Sequence, residues 1–190
     1  MDQRVNDTLD FWFGDRDAAF YGKAREEWFK KDDAFDKAIR SRFAGLYEEA
    51  ASGELDDWRE EPESCLALIV VLDQFPRNMF RDDPKAYATD DKALNLAKYT
   101  LAEGHDRALP EFQRVFIYMP YMHSEDVRDQ ERCVTLFEAL GEDYAYNLEF
   151  AVAHRDVVAR FGRFPHRNGI LGRENTPEET EFLEEPGSSF

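Results

Sequence analysis

Apolar side chains recur every three or four residues along almost all of this 190-residue chain, and no convincing alternating run appears. That spacing lines up one face of an α-helix, whereas a half-buried strand needs alternation. Glycines and prolines separate the periodic stretches, and short connections between helices favour antiparallel neighbours. The sequence therefore predicts an all-α antiparallel stack of about seven to eight helices. We expect a single domain over residues 1–184 and a frayed tail over residues 185–190.

The composition of the chain indicates which kinds of molecule it is not expected to bind. Hydrophobic residues make up 43% of the chain, which is enough for a core, and the formal net charge is −17. A surface this acidic repels phosphate backbones and anionic lipid, so nucleic-acid and membrane binding are not expected. The sequence has no apolar run long enough to span a bilayer and no signal-peptide pattern, and its two cysteines lie in apolar helical stretches. Together these features predict a cytoplasmic protein.

Capping residues and prolines predict where helices begin and end. The first helix is expected over residues 7–13, with Asn6 or Asp7 as its cap. A largely apolar helix opens at Pro62 and should stop near Gln74, because Pro76 disfavours helical geometry at the residue before it. Later helices are expected to be capped by Thr89, Ser124 and Thr176.

One short motif occurs twice. Phe75-Pro76-Arg77-Asn78 recurs, with one insertion, as Phe164-Pro165-His166-Arg167-Asn168. Each copy follows an apolar helix and precedes a helix with a threonine cap. The arginine and asparagine can satisfy carbonyls at a helix end, so a purely architectural role accounts for both copies as well as a binding role does.

The second copy lies in a basic segment. Five arginines stand against one acid between His154 and Arg173, although the chain as a whole is acidic. Arginine suits two-point contact with carboxylate or phosphate, but pairing with the protein's own surplus acids is the commoner arrangement. Three of the four histidines, His123, His154 and His166, fall in the same half of the chain. A lone histidine beside aromatic residues is more often a core residue than a ligand.

Familiar reaction motifs are missing from the sequence. It contains no H-E-x-x-H, no cysteine pair and no glycine-rich nucleotide loop. Ser124 beside His123 is better explained as a helix cap than as a nucleophile. The residues therefore predict no metal site and assign no cofactor.

The ordered motifs Leu72–Asn78, Tyr118-Met119-Pro120, His123–Asp126, Arg163–Asn168 and Thr176–Glu179 resemble a bacterial family catalogued as domain of unknown function 924. The opening Leu9–Gly14 fits its pattern too, so the resemblance covers nearly the whole chain. It implies a TPR-like helical fold and supplies no activity, substrate or cofactor.

The leading hypothesis is a pocket, lined by arginine and histidine, that binds a small anion or a peptide carboxylate. The ligand-binding candidates are Asp73, Arg77, Asn78, Arg163, Arg167, Asn168 and Arg173. The candidates for hydrogen bonding or proton transfer are His123, Glu125, His154 and His166.

Three alternatives stay open at this point. The first is a TPR-like protein-binding scaffold using aromatics near Trp12 and Trp28, although both tryptophans are more readily explained as core. The second is a metal-assisted hydrolase. The third is that all of the motifs are architectural.

Overall fold

The computed structural model describes residues 2–189, and these contain helices and turns but no strand. Eight α-helices occur in the described residues, in agreement with the predicted all-α stack. They are α1 (Gln3–Phe13), α2 (Asp33–Ser52), α3, α4 (Asp90–Glu103), α5 (Glu111–Met122), α6 (Val127–Glu138), α7 (Ala145–Phe161) and α8 (Pro177–Leu183). Helix α3 consists of Pro62–Ile69, a π-helical turn at Val70–Gln74 and a last stretch at Phe75–Met79. No helix in the described part of the chain is both long enough and apolar enough to cross a bilayer.

The described residues form two compact units. One contains residues 2–81 and 85–120, and the other contains residues 82–84 and 121–189. The single domain expected over residues 1–184 stays a prediction, and its first residue, Met1, lies outside the described residues.

In the first unit, α3 is the central helix and packs against α1, α2 and α4. Almost all of its side chains are buried, which is why it is apolar around its circumference. Aromatic rings fill the core beside it: Trp12 lies within 6 Å of Trp28, Phe35, Phe75 and Phe116, measured between ring centroids. Trp12 is fully buried and Trp28 is half-buried, so neither offers an exposed docking surface.

In the second unit, α6 and α7 are consecutive helices that pack together. Helix α7 ends at Gly162, whose φ of 69° is the left-handed conformation that glycine adopts without strain. Val157, Val158 and Phe164 form a buried cluster there, covered by Phe161 and Phe182.

Two predicted helix starts were wrong. Helix α1 begins at Gln3, before the predicted start, because Asp2 accepts the backbone N–H of Arg4. Helix α6 is capped by Asp126, which accepts the N–H of Arg128, whereas the Ser124 hydroxyl, two residues before the cap, accepts the N–H of Asp126.

At the other end of the chain, the predicted capping box on α8 is confirmed: Thr176 and Glu179 each accept the other's backbone N–H. Residues 184–189 are non-helical, and the hydroxyl of buried Ser188 donates to the carbonyl of Leu183. Fraying of the tail over 185–190 stays a prediction, and Phe190 lies outside the described residues.

Candidate functional site

The first Phe-Pro segment lies inside α3, not after it as predicted. Pro76 has no N–H to give to the carbonyl of Leu72, and that loss normally breaks a helix. Here the Thr89 hydroxyl donates to the Leu72 oxygen at 2.6 Å, and the π turn lets Phe75 donate to Val70 instead. The helix therefore continues to Met79. Thr89 stands at the N-cap position of α4, but its side chain makes no capping hydrogen bond there.

The guanidinium of Arg77 makes hydrogen bonds to two residues, Asp73 and Asp90. Its Nη1 donates to the carbonyl of Asp73 at 2.6 Å, and its two terminal nitrogens lie 2.9 and 3.0 Å from the Asp90 carboxylate. The carboxylate of Asp73, fully buried, is 3.4 Å from Nη1. Burial opposes the charge of Arg77, but Asp90 and Asp73 outweigh it and raise the pKa of the guanidinium. Arg77 is thus neutralised by the chain's own acids.

Asn78 is bonded within the chain as well. Its amide donates to Asp36 at 2.8 Å, and Arg81 donates to the same carboxylate. Burial acts to raise the pKa of Asp36, but the hydrogen bonds from Arg81 and Asn78 outweigh it and lower that pKa. Each of these contacts joins the end of α3 to α2 or α4, so they stabilise the packing of the three helices.

The second Phe-Pro segment follows Gly162 and forms a 3₁₀ turn at Pro165–Arg167. Phe164 is fully buried, and its ring centroid lies 5.6 Å from those of both His154 and His166. The guanidinium of Arg167 lies over the same ring at 4.5 Å, a cation–π geometry. Phe164 is therefore the apolar centre around which two imidazoles and one guanidinium are arranged.

His123 joins this group through its backbone. Nη1 of Arg167 donates to the carbonyl of His123 at 3.1 Å. Gln130, fully buried on α6, donates to the carbonyls on either side, those of Met122 and Ser124. Three consecutive carbonyls are thus fixed by side chains, which holds the His123 segment in place.

His154 is an uncharged imidazole at ordinary pH. It is 6% exposed on α7, and its Nδ1 lies 2.8 Å from the carbonyl of Phe150. Because a carbonyl can only accept, Nδ1 carries the proton and Nε2 has the lone pair. Burial above all, together with the nearby positive charge of His123, Arg167 and His166 and against the opposing bond from Phe150, lowers the pKa of His154 to about 3. We name the set of His123, His154, His166 and Arg167 the imidazole cluster.

Glu125 and Arg173 brace the cluster from one side. Two hydrogen bonds of 2.7 and 2.9 Å join the carboxylate of Glu125 to the Arg173 guanidinium. Glu125 also accepts the N–H of Phe164 at 2.8 Å, and Arg173 donates to the Phe164 carbonyl. Burial opposes the charge of Glu125, but Arg173 and the Phe164 N–H outweigh it and lower the pKa of the carboxyl. The pair holds the Phe164 backbone at both its polar groups.

Arg163 and Asn168 face the start of α8. Arg163 makes two hydrogen bonds, of 2.6 and 2.7 Å, to the buried carboxylate of Glu179, and the Asn168 amide bonds to Asn175. The same Glu179 carboxylate accepts the N–H of Thr176. Arg163 above all, with Thr176 and against the effect of burial, lowers the pKa of Glu179 to about 2. These contacts attach α8 to the end of α7.

The predicted site residues thus fall into two sets. Within the second unit, the chain brings together His123, Glu125, His154, Arg163, His166, Arg167, Asn168 and Arg173. Within the first unit it joins Asp73 and Arg77, with Asn78 one residue further on. That both sets line one shared hollow stays a prediction.

Sequence reasoning missed Gln130 and the anchoring acids Asp36, Asp90 and Glu179. Gln130 had a visible signal, since it interrupts the apolar face of α6 that Cys133, Val134 and Phe137 continue. Among residues 2–189, no group of three or more His, Cys, Asp and Glu side chains is arranged to hold a metal ion.

Comparison with known proteins agrees with the resemblance read from the motifs. The profile of a family described as bacterial protein of unknown function (DUF924) matches residues 8–187. A solved structure of a protein of unknown function from Agrobacterium tumefaciens is 48% identical, with a TM-score of 0.85 over 96% of this chain and 97% of that one. No curated protein matches the chain. With its profile matched over nearly the whole length, this chain belongs to the DUF924 family of bacterial proteins.

Proposed function

We propose that the imidazole cluster binds a small anionic ligand through a phosphate or carboxylate group. The observation that carries this proposal is the arrangement of Arg167, His154 and His166 around Phe164, with His123 joined to Arg167 through its carbonyl, in a chain with a net charge of −17. The positive charge of Arg167, His123 and His166 lowers the pKa of His154, and the same charge would attract an anion.

Glu125 and Glu179, two acids of this unit, each pair with an arginine outside the cluster. Glu125 is held by Arg173, and Glu179 is held by Arg163. Each acid is committed to its own arginine by two hydrogen bonds, which is the strong form of such pairs. In the proposed site the ion pairs act as positioning groups, and the nitrogen atoms of the imidazole cluster contact the ligand.

The chemistry of the cluster fits an acid group. Arg167 offers a planar set of N–H donors that matches carboxylate and phosphate oxygens. His166 is only half-buried, so a ligand can reach its ring from solvent. An anion favours the protonated form of a neighbouring imidazole, so binding should tighten as pH falls.

The test is a thermal-shift titration with inorganic phosphate, acetate and a panel of phosphorylated and carboxylated metabolites. His166→Gln removes a partly exposed member of the cluster, and Arg167→Gln removes the guanidinium. Arg155→Gln is the matched control, because it loses the same charge from the same basic segment while Arg155 pairs with its neighbour Asp156.

We expect at least one anion to stabilise the wild type and Arg155→Gln, and to lose that effect in His166→Gln. If no anion stabilises the wild type, or if Arg155→Gln loses the effect equally, the proposal is wrong.

A further inference from the structure

A cleft of about 250 Å³ opens in the first unit, and none of its lining residues belongs to either Phe-Pro segment. Its wall is formed by α1, the loop that follows α1, the start of α3 and the start of α5. The side chains that matter for its chemistry are Asp10, Phe13, Arg16, Tyr21, Glu63 and Gln113.

Gln113 gives the first indication of a ligand. Its side chain lines the cleft and the residue is only 6% exposed, yet its amide makes no hydrogen bond to any residue between 2 and 189. The amide nitrogen and oxygen remain open to the cleft, so they exchange hydrogen bonds with solvent when no ligand is bound. The carbonyl and NH₂ of Gln113 are therefore available to a molecule in the cleft.

The charge of the cleft gives the second indication. The carboxylate of Asp10 forms no ion pair within the described residues. Glu63 is 3.1 Å from Arg16, but Arg16 is 77% exposed, so water screens that pair. Partial burial, together with repulsion from Asp15 and Asp7, raises the pKa of Asp10. A cation placed beside Asp10 would relieve both effects.

The walls of the cleft decide which kind of cation fits. Tyr21 is half-buried and contributes an aromatic ring, whose face attracts organic cations, whereas Phe13 is 1% exposed and forms the floor behind it. A hard metal ion prefers several oxygen ligands at once, and no metal-holding group of three acids, histidines or cysteines occurs among the described residues. The carboxylate of Asp10, the amide oxygen of Gln113 and the half-buried side chains of Leu9 and Tyr21 match an alkylammonium ion, which has N–H donors at one end and an apolar chain at the other.

We propose that this cleft binds a small primary amine as its alkylammonium ion. The ammonium group donates to the carboxylate of Asp10 and to the amide oxygen of Gln113, and the alkyl chain packs against the ring of Tyr21. This site is independent of the imidazole cluster, because it uses the opposite ligand charge and residues of the other unit.

The experiment is calorimetric titration of the full chain with butylammonium chloride at low ionic strength. Asp10→Asn removes the unpaired carboxylate. Asp7→Asn is the matched control, since it removes the same charge from the same helix, where Asp7 is exposed and bonded to Gln3. Tetramethylammonium chloride is the matched probe, because it has the same charge and no N–H donor.

We expect saturable butylammonium binding that Asp10→Asn weakens by about tenfold or more, the usual effect of losing a charge-assisted hydrogen bond, and that Asp7→Asn changes by less than about twofold. Tetramethylammonium should bind more weakly than butylammonium. Absence of saturable binding, equal weakening by the two aspartate variants, or equal binding of the two cations would overturn the proposal, since the last two outcomes indicate general attraction to an acidic surface.

A second variant tests whether the amide of Gln113 binds the ligand or stabilises the fold. Gln113→Leu keeps the side-chain volume but removes the amide, so it should weaken butylammonium binding while the melting temperature of the ligand-free protein holds or rises. A lower melting temperature with unchanged binding would show that the amide serves the fold instead, and would count against the proposal.

Discussion

The two Phe-Pro segments share their anchors but differ in backbone and in charge. Both phenylalanines are fully buried, and both asparagines are buried and bonded to polar side chains of their own unit. The first copy lies inside a helix, whereas the second follows a glycine and forms a 3₁₀ turn. The first arginine is neutralised by Asp73 and Asp90, and the second lies among imidazoles.

The comparison separates the role that both Phe-Pro segments share from the role that we propose for the second segment alone. The buried ring and amide fasten a helix end in both copies, so they are architectural. Only the second copy gathers positive groups around its ring, and this is why we place the anion site there. Substituting the residues behind the shared features, and then those behind the features that differ, tests this division.

The largest effect on stability is expected from the buried phenylalanine that each segment contains. Phe75→Ala and Phe164→Ala should each lower the free energy of unfolding by about 3–5 kcal/mol, because each leaves a cavity in a packed core. Phe75 contacts the rings of Phe11, Trp12 and Phe43. Urea denaturation of both variants measures the loss. A Phe164→Ala protein within about 1 kcal/mol of wild type would show that the second ring is not an anchor.

The next effect distinguishes the arginines. Arg77→Ala should cost about 3 kcal/mol, since it leaves the buried carboxylate of Asp73 and that of Asp90 without their cation. Arg128→Ala is the control: Arg128 is exposed and pairs with Asp126 two residues away, so its loss should leave the urea midpoint nearly unchanged. Equal midpoints in urea for the two variants would contradict a structural role for Arg77.

Thr89 and Thr176, which stand at the starts of the helices after the two segments, should also differ in how much their loss costs in stability. Thr89→Val leaves the buried carbonyl of Leu72 without a donor and should cost about 2 kcal/mol. Thr176→Val removes an ordinary N-cap and should cost about 1 kcal/mol. Urea denaturation ranks the two variants by their free energy of unfolding. Unchanged stability in Thr89→Val would mean that the Thr89 hydroxyl does not compensate for Pro76.

The last effect is a pH dependence of stability that arises from His154 in the second unit. The folded pKa of His154 is about 3 and the unfolded value is about 6.5, so the unfolded chain binds a proton that the folded chain does not. Stability due to neutral His154 is therefore complete above about pH 6.5 and is lost as pH falls, by about 1.5 kcal/mol between about pH 6.5 and 5. His154→Gln should remove this slope.

His105→Gln is the control for that measurement and should keep the slope. The lowered pKa values of Glu125 and Glu179 add their own losses only below the ordinary glutamate range, about 4.3, so they do not overlap this window. An identical slope in wild type and His154→Gln would mean that His154 is not buried in its neutral form.

Local patterns predicted the architecture well. Helical periodicity, the left-handed glycine at 162 and the capping box at Thr176 depend on residues within one or two turns, so the sequence contains all the information they need. The end of α3 was mispredicted for the opposite reason. The Thr89 hydroxyl that replaces the missing proline N–H comes from 17 residues away, and no local rule anticipates it.

The site shows the same division. The surplus of arginine and histidine is visible in the sequence, and His154, Phe164 and Arg167 are near neighbours along the chain. The choice of partner is not visible, because Arg163 and Arg173 select Glu179 and Glu125 from many acids only once the helices have packed. Which cations are structural and which surround a binding position is therefore a tertiary property.

The most direct test of the anion site is nitrogen-15 NMR of the imidazole side chains during titration with inorganic phosphate. Anion binding at the imidazole cluster predicts saturable shifts of the His123 and His166 ring nitrogens, while those of His105, which lies in the first unit, stay in place. Shifts of equal size at all four histidines, or none at millimolar phosphate and acetate, would contradict the account.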